Sequence, residues 1–352
     1  LSGNFLLYGS YGYTGQLITE LAVERGLHPI LAGRDAARLK KQAEQYGLPY
    51  RSFALDDAQA LDAALAEVDL ILLAAGPFQH TYKAAAAACL RTGRHYLDIT
   101  GEVSVFEGLA KMDAAARQAG VMLLPGAGFD VVPSDCLAAH LKRRMPEATH
   151  LTIAIRSQGG GVSQGTALTM LEGIHLPGAV RRDGRLQSLI TGSVRRSFDF
   201  GRGPRQAINI TWGDLSTAYW STKIPNIETF MSFNPQMTRM LGLSGSLRWL
   251  LGMKLVKQIL AKGIKSGPAG PNAEQRKTGR NLLYAEVRDA QGRQAAARLE
   301  TPESYALTAI TSLMIVEKVL KGQVMPGFQT PSTAYGADLI LEVPTTRRVD
   351  LD

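Results

Sequence analysis

The chain has 352 residues, 45% hydrophobic and 20% charged, a composition that can bury a large core and excludes the disordered class. Its net charge of +8 invites an anionic ligand, yet the cations lack interleaved aromatics and any helix-turn-helix or stacking motif, which argues against nucleic acid. No apolar run reaches the roughly 18 residues needed to cross a bilayer.

The first apolar run, 5–8, ends in Gly9, Ser10, Tyr11, Gly12, Tyr13, Thr14 and Gly15. This reads as a strand, a tight turn and a helix. Gly9 allows the sharp exit, Gly12 lets backbone approach a pyrophosphate, and Gly15 lets the helix pack on the strand, so that free N–H groups and the helix dipole face an anion. The spacing predicts a helix over 16–25, a strand to Gly33, a helix over 35–46, a strand over 50–55 and a short helix over 57–66. A strand over 68–75 runs into Ala75, Gly76 and Pro77, which are expected to follow the ligand. A helix over 81–92, a strand over 95–99, a helix over 105–119 and a strand over 121–125 complete the series. Six apolar strands alternating with helices predict an α/β, Rossmann doubly wound parallel sheet with its ligand at the carboxyl ends of the strands. Arg34, where an NAD-binding protein carries an acid, predicts NADP, because a guanidinium accepts the 2′-phosphate.

A Rossmann unit uses only about 135 residues, so a second domain is required. Beyond Pro146 the pattern turns β-branched and alternating, with strands expected over 149–157, 193–200, 207–212, 217–223, 280–288 and 293–300 and turns at Asp183–Gly184 and Gln291–Gly292. This predicts a second α+β domain on a mainly antiparallel sheet. The glycine-rich run 159–165 enters a helix as a substrate loop or a hinge, and a long helix over 303–320 is expected to return to the nucleotide domain. The expected division is 1–136, 137–300 and 301–352.

Several motifs together resemble the saccharopine dehydrogenase-like oxidoreductase family, including its trans-acting enoyl reductase branch. They are the glycine turn, the run 32–35 around Arg34, Ala75 to Phe78, Tyr96 to Glu102, Gly128 to Asp135, and Ser163 to Thr166. The resemblance implies NADP-linked oxidoreduction. It leaves the substrate open between an apolar enoyl or lipid-like group and a saccharopine-type amino acid or imine adduct, with a non-catalytic NADP-binding regulator as the rival reading. Hydride transfer needs a proton carrier beside the nicotinamide. The candidates at the strand ends are Glu102, Asp130 and Tyr82, with Asp98 more readily a turn carboxylate. Phe129, Ser163 and Thr166 are the expected substrate contacts. No histidine pair has metal spacing, so no metal is expected.

The run 248–265 is a basic amphipathic helix, with Trp249, Met253, Val256, Leu260 and Ile264 on one face and Lys254, Lys257 and Lys265 opposite. Peripheral membrane contact is one reading; packing on its own domain or on a homodimer mate is the other. Cys89 and Cys136 have no redox or metal spacing, and the first strand leaves no room for a signal peptide, so a cytoplasmic protein acting on a small molecule is expected.

Overall fold

The computed structural model describes residues 4–173, 177–233 and 253–351. The chain forms two compact units, Leu1–Val132 with Tyr305–Tyr335, and Pro133–Ser304 with Gly336–Asp352. This departs from the division expected after residue 300, because the last fifty residues are shared between the units.

In the first unit β1 (Phe5–Tyr8), β2 (Ile30–Gly33), β4 (Leu70–Leu73) and β6 (Met122–Leu124) are buried along their whole length, and β5 (His95–Asp98) nearly so. Burial on both faces explains why these strands read as continuous apolar runs without alternation. With β3 (Tyr50–Ser52) they pair in parallel, and a seventh strand, β15 (Gly327–Phe328), joins beside β6 to give the order β15-β6-β5-β4-β1-β2-β3. Two residues bounded by Pro326 and Gln329 carry no periodicity, so this strand was not expected. The chain reverses direction across the sheet between β1 and β4, which opens a crevice at their carboxyl ends.

The helices have local causes. Asp35 caps Ala36–Tyr46 by accepting the Arg38 N–H, and Gly47, at φ 65°, ends it in the left-handed region. The helix expected over 105–119 is two, Val103–Ala110 and Asp113–Gln118.

The second unit is a nine-stranded mixed sheet. Its centre is β7 (His150–Gln158), antiparallel to β13 (Arg280–Arg288) and parallel to β12 (Asn226–Met231). The path runs β10 (Arg195–Asp199), β11 (Pro204–Asn209), β12, β7, β13, β14 (Gln294–Pro302) and β16 (Arg347–Leu351), and the hairpin of β8 (Ala179–Arg182) and β9 (Arg185–Ser188) pairs onto β12. That hairpin turns at Asp183 and Gly184, both at positive φ.

One strand expectation is overturned. Residues 217–223 belong to the helix Asp214–Thr222, whose Leu215, Ala218 and Thr222 are buried at helical spacing and which ends at Lys223 in the left-handed region. Two threonines and two aromatics give this run strand-like composition, and burial of the helix from Asp214 to Ala218 and at Thr222 overrides it.

Of the basic run 248–265, residues 248–252, with Trp249, lie outside the described residues. The helix Lys254–Ser266 packs beside Gln164–Gly173, with Lys257 Nζ donating to the Glu172 carbonyl at 2.9 Å. Ile259, 63% exposed, and Met253 stay in solvent. Among the described residues no helix is long and apolar enough to cross a membrane.

Candidate functional site

The glycine turn sits where β1 leaves the sheet. Gly9 has φ 88°, and a Cβ there would lie 2.9 Å from the backbone of Ala74 and Ala75, at the end of β4. A Cβ at Gly15 would stand 2.3 Å from the Gly9 carbonyl, so close packing of helix on strand requires glycine. The helix Tyr13–Glu24 begins at Gly12 with no side-chain cap and no acid in its first turn. Its positive end is therefore left to an external anion. These features fit a dinucleotide pyrophosphate.

Of the other turn residues, Ser10 is buried and holds Gln42, donating through Oγ to Oε1 at 2.8 Å while its carbonyl accepts from Nε2 at 3.0 Å. Gln42 was not singled out in the sequence; a glutamine inside a polar helix gives no signal until its partner is known. Tyr11 lies across the tip of β2. Its hydroxyl accepts the N–H groups of Arg34 at 3.1 Å and Asp35 at 3.3 Å, and its ring fills the space a Cβ would need at Gly33. The Arg38 guanidinium stacks over that ring at 4.6 Å and donates to the Tyr11 carbonyl at 2.8 Å. The Arg34 side chain is exposed and engages no acid among the described residues. Tyr13 meets Tyr305 edge to face at 5.1 Å, and Thr14 is half-exposed.

The loop after β4 is tied from both sides. Thr81 Oγ1 donates to the Ala75 carbonyl at 2.9 Å. Glu102 accepts the Phe78 N–H at 2.7 Å through Oε1 and the Gln79 N–H at 2.9 Å through Oε2. Each carboxylate oxygen of Glu102 thus holds this loop. At Gly76 a Cβ would meet nothing nearer than the Phe78 ring at 3.4 Å, so packing within the protein does not demand glycine there. Tyr82 is buried, with its hydroxyl against Gly108, where a Cβ would stand 2.2 Å from Oη. It packs between two helices and opens onto a surface pocket shared with Lys83, Ser104 and Lys111.

Two further carboxyls lie at the ends of β5 and β6. Asp98 is fully buried; it accepts Tyr96 Oη at 2.6 Å and the N–H groups of Thr100 and Gly126, each at 2.9 Å. Burial pushes it up to about 6 against those three bonds. Asp130 has no such support. Its Oδ1 is shut off from water with no hydrogen-bond partner, and its Oδ2 lies where a Cβ at Gly101 would come within 2.6 Å. Burial alone pushes this acid up to about 7. Phe129 is buried beside it. In the second unit Ser163 is buried as the cap of Gln164–Gly173, its Oγ accepting the Thr166 N–H at 3.2 Å and lying 3.1 Å from Thr166 Oγ1.

Residues 5–124 match the family model of the saccharopine dehydrogenase NADP binding domain. The nucleotide-binding part of the chain is thus similar to that domain over the whole of the first six strands. Similarity to curated proteins covers about half of the chain. A trans-acting enoyl reductase of Mycobacterium leprae is 34% identical over 154 residues, 41% of this chain and 36% of that protein. A saccharopine dehydrogenase-like oxidoreductase of Mus musculus is 26% identical over 204 residues, 51% of this chain and 48% of that protein. The chain thus spans less than half the length of these relatives. Among solved structures, a saccharopine dehydrogenase (L-Glu forming) from Saccharomyces cerevisiae aligns over 100% of both chains with a TM-score of 0.66 at 14% identity, a likeness of fold.

Proposed function

We propose that the protein is an NADP-dependent oxidoreductase that reduces an apolar, enoyl or lipid-like substrate, with Asp130 as the proton donor. The observation that carries the reading is the Asp130 carboxyl, whose Oδ1 is shut off from water with no hydrogen-bond partner at the sheet edge where a doubly wound fold receives its ligand, and whose pKa burial pushes up to about 7. A carboxylic acid poised near 7 donates a proton at physiological pH and is regenerated from solvent.

Gly9, Gly12 and Gly15 with the start of helix Tyr13–Glu24 would hold the pyrophosphate, and Arg34, with its guanidinium free of acids, would take the 2′-phosphate. Ala75, Gly76 and Pro77 would line the cofactor, with Gly76 leaving space on that side. Bound NADPH supplies the hydride. Asp130 delivers the proton to the carbon that carries the resulting negative charge, so that a C=C bond gains one hydride and one proton. Glu102 keeps the 78–79 turn in place, and the Tyr82 hydroxyl lies against Gly108. The trans-acting enoyl reductases among the relatives support an enoyl over an imine substrate.

The test is NADPH oxidation against matched enoyl thioester, imine and ketone compounds, with cofactor binding measured in parallel. Turnover of the enoyl series is expected. NADPH binding with no turnover of any class would overturn the reading in favour of a regulator.

A further inference from the structure

The loop that carries Asp130 is held by a helix about 180 residues further along the chain, in the same unit. From helix Ser304–Leu320, Thr308 Oγ1 accepts the Phe129 N–H at 3.0 Å. One turn later Thr311 Oγ1 lies 2.8 Å from the Ala127 carbonyl, to which it donates, and 3.0 Å from the Leu307 carbonyl. Between the two, Gly128 leaves no room: a Cβ there would meet Thr308 Cγ2 at 2.7 Å. From the opposite side the Asp98 carboxylate accepts the Gly126 N–H, and the Asp98 carbonyl accepts the Ala127 N–H at 2.7 Å. Residues 126–129 are therefore clamped between β5 and this helix, while the carboxyl of the next residue has a buried oxygen with no partner.

A loop free to relax would turn that carboxyl toward water, since an unpaired buried polar atom is costly. Burial of Thr308 and Thr311 inside a helix is equally uneconomical unless their hydroxyls are used, and both are used on this loop. We propose that Thr308 and Thr311 are positioning residues that hold the Asp130 loop so that Oδ1 stays shut off from water and the carboxyl is set for proton transfer. This rests on the reading of Asp130 as the proton donor. The titratable groups on the adjoining β5 segment, Asp98 and Glu102, are tied to backbone N–H groups. The helix presents uncharged hydroxyls to the loop, and the ring of Tyr305 at its start lies against Tyr13.

The experiment compares Thr308→Val and Thr311→Val, which keep shape and remove a hydroxyl, with Thr308→Ser, which restores it. The readouts are NADPH binding, kcat as a function of pH, and the carboxyl titration of Asp130 followed by carbon-13 NMR. Each Val variant is expected to lower kcat about tenfold and to leave NADPH binding within about twofold. The limb at which activity falls with rising pH should move to lower pH, as water reaches the carboxyl and its pKa drops toward the ordinary value of about 3.9. Thr308→Ser should retain the parent profile. Val variants with the parent kcat, pH limb and Asp130 titration would overturn the proposal. Asp130→Asn separates the two failures: if it is inactive while the Val variants are normal, the positioning role fails, and if it is fully active, the proton-donor reading itself fails. If Thr308→Val does not fold, Thr311→Val and the Asp130 titration decide.

Discussion

Asp98 and Asp130 lie at the ends of adjacent strands and differ in the donors they meet. Asp98 has three and Asp130 none, and burial raises both. For an acid whose folded pKa lies above its unfolded value, the native state binds the extra proton, so the group lowers stability progressively as pH rises from about 4 to about 7. Asp130→Asn removes that cost. Its gain in Tm over the parent should be larger at pH 8 than at pH 5, while kcat falls by about 10²–10⁴ if the carboxyl is the proton donor. A Tm gain independent of pH would mean that Asp130 is ionised in the folded protein. At the other end of the crevice, Arg34→Ala should reduce the preference for NADP over NAD. A charge-assisted hydrogen bond contributes on the order of 1.5–3 kcal/mol, or roughly 10- to 150-fold in dissociation constant. Equal dissociation constants for the two cofactors in the parent would rule out that role.

At the scale of elements, the glycine turn and the loop after β4 act as one device, because Gly9 packs directly on Ala74 and Ala75. A side chain at Gly12 has only the Gly9 carbonyl near it, at 3.2 Å, and otherwise projects where a pyrophosphate would lie. Gly12→Val should therefore abolish NADPH binding in calorimetry while the circular dichroism spectrum stays near native; retained binding would place the cofactor elsewhere. Glu102→Ala leaves two backbone N–H groups of the 78–79 turn without their carboxylate. It should cost about 1.5–3 kcal/mol in denaturant unfolding and weaken cofactor binding, whereas a pure catalytic acid at this position would lose kcat with stability unchanged.

At the scale of the molecule, the C-terminal fifty residues complete both sheets. Gly327–Phe328 adds the seventh parallel strand to the first, and Arg347–Leu351 covers the edge of β14 in the second. The latter strand also brings Asp350 to 2.7 Å from His140 and 3.2 Å from Arg144 in the helix Val132–Arg144. Deleting residues 346–352 should expose the edge of β14, lower the unfolding midpoint and produce concentration-dependent association seen in light scattering. A truncated chain that stays monodisperse with an unchanged midpoint would show that the edge needs no cover.

The sequence by itself determined the nucleotide-binding half. Its strands are buried on both faces, its turn needs glycine at Gly9 and Gly15, and its caps are local, so each residue's neighbours within a few positions were enough to read it. The limits of β13 were equally legible, because alternation follows directly from one-sided burial. Residues 217–223 were misread because strand-like side chains there fold as a helix whose first turn is buried, a fact of packing and not of propensity. β15, β16 and β12 were missed because two to six residues gain strand character only from a partner distant in sequence. The tertiary structure alone gave the three candidate proton carriers different surroundings. Three side chains with the same sequence warrant became a turn support in Glu102, a packed ring in Tyr82, and in Asp130 a half-buried carboxyl whose Oδ1 meets neither water nor a donor. Burial and hydrogen-bond partners set a pKa, and both come from segments far away in the chain.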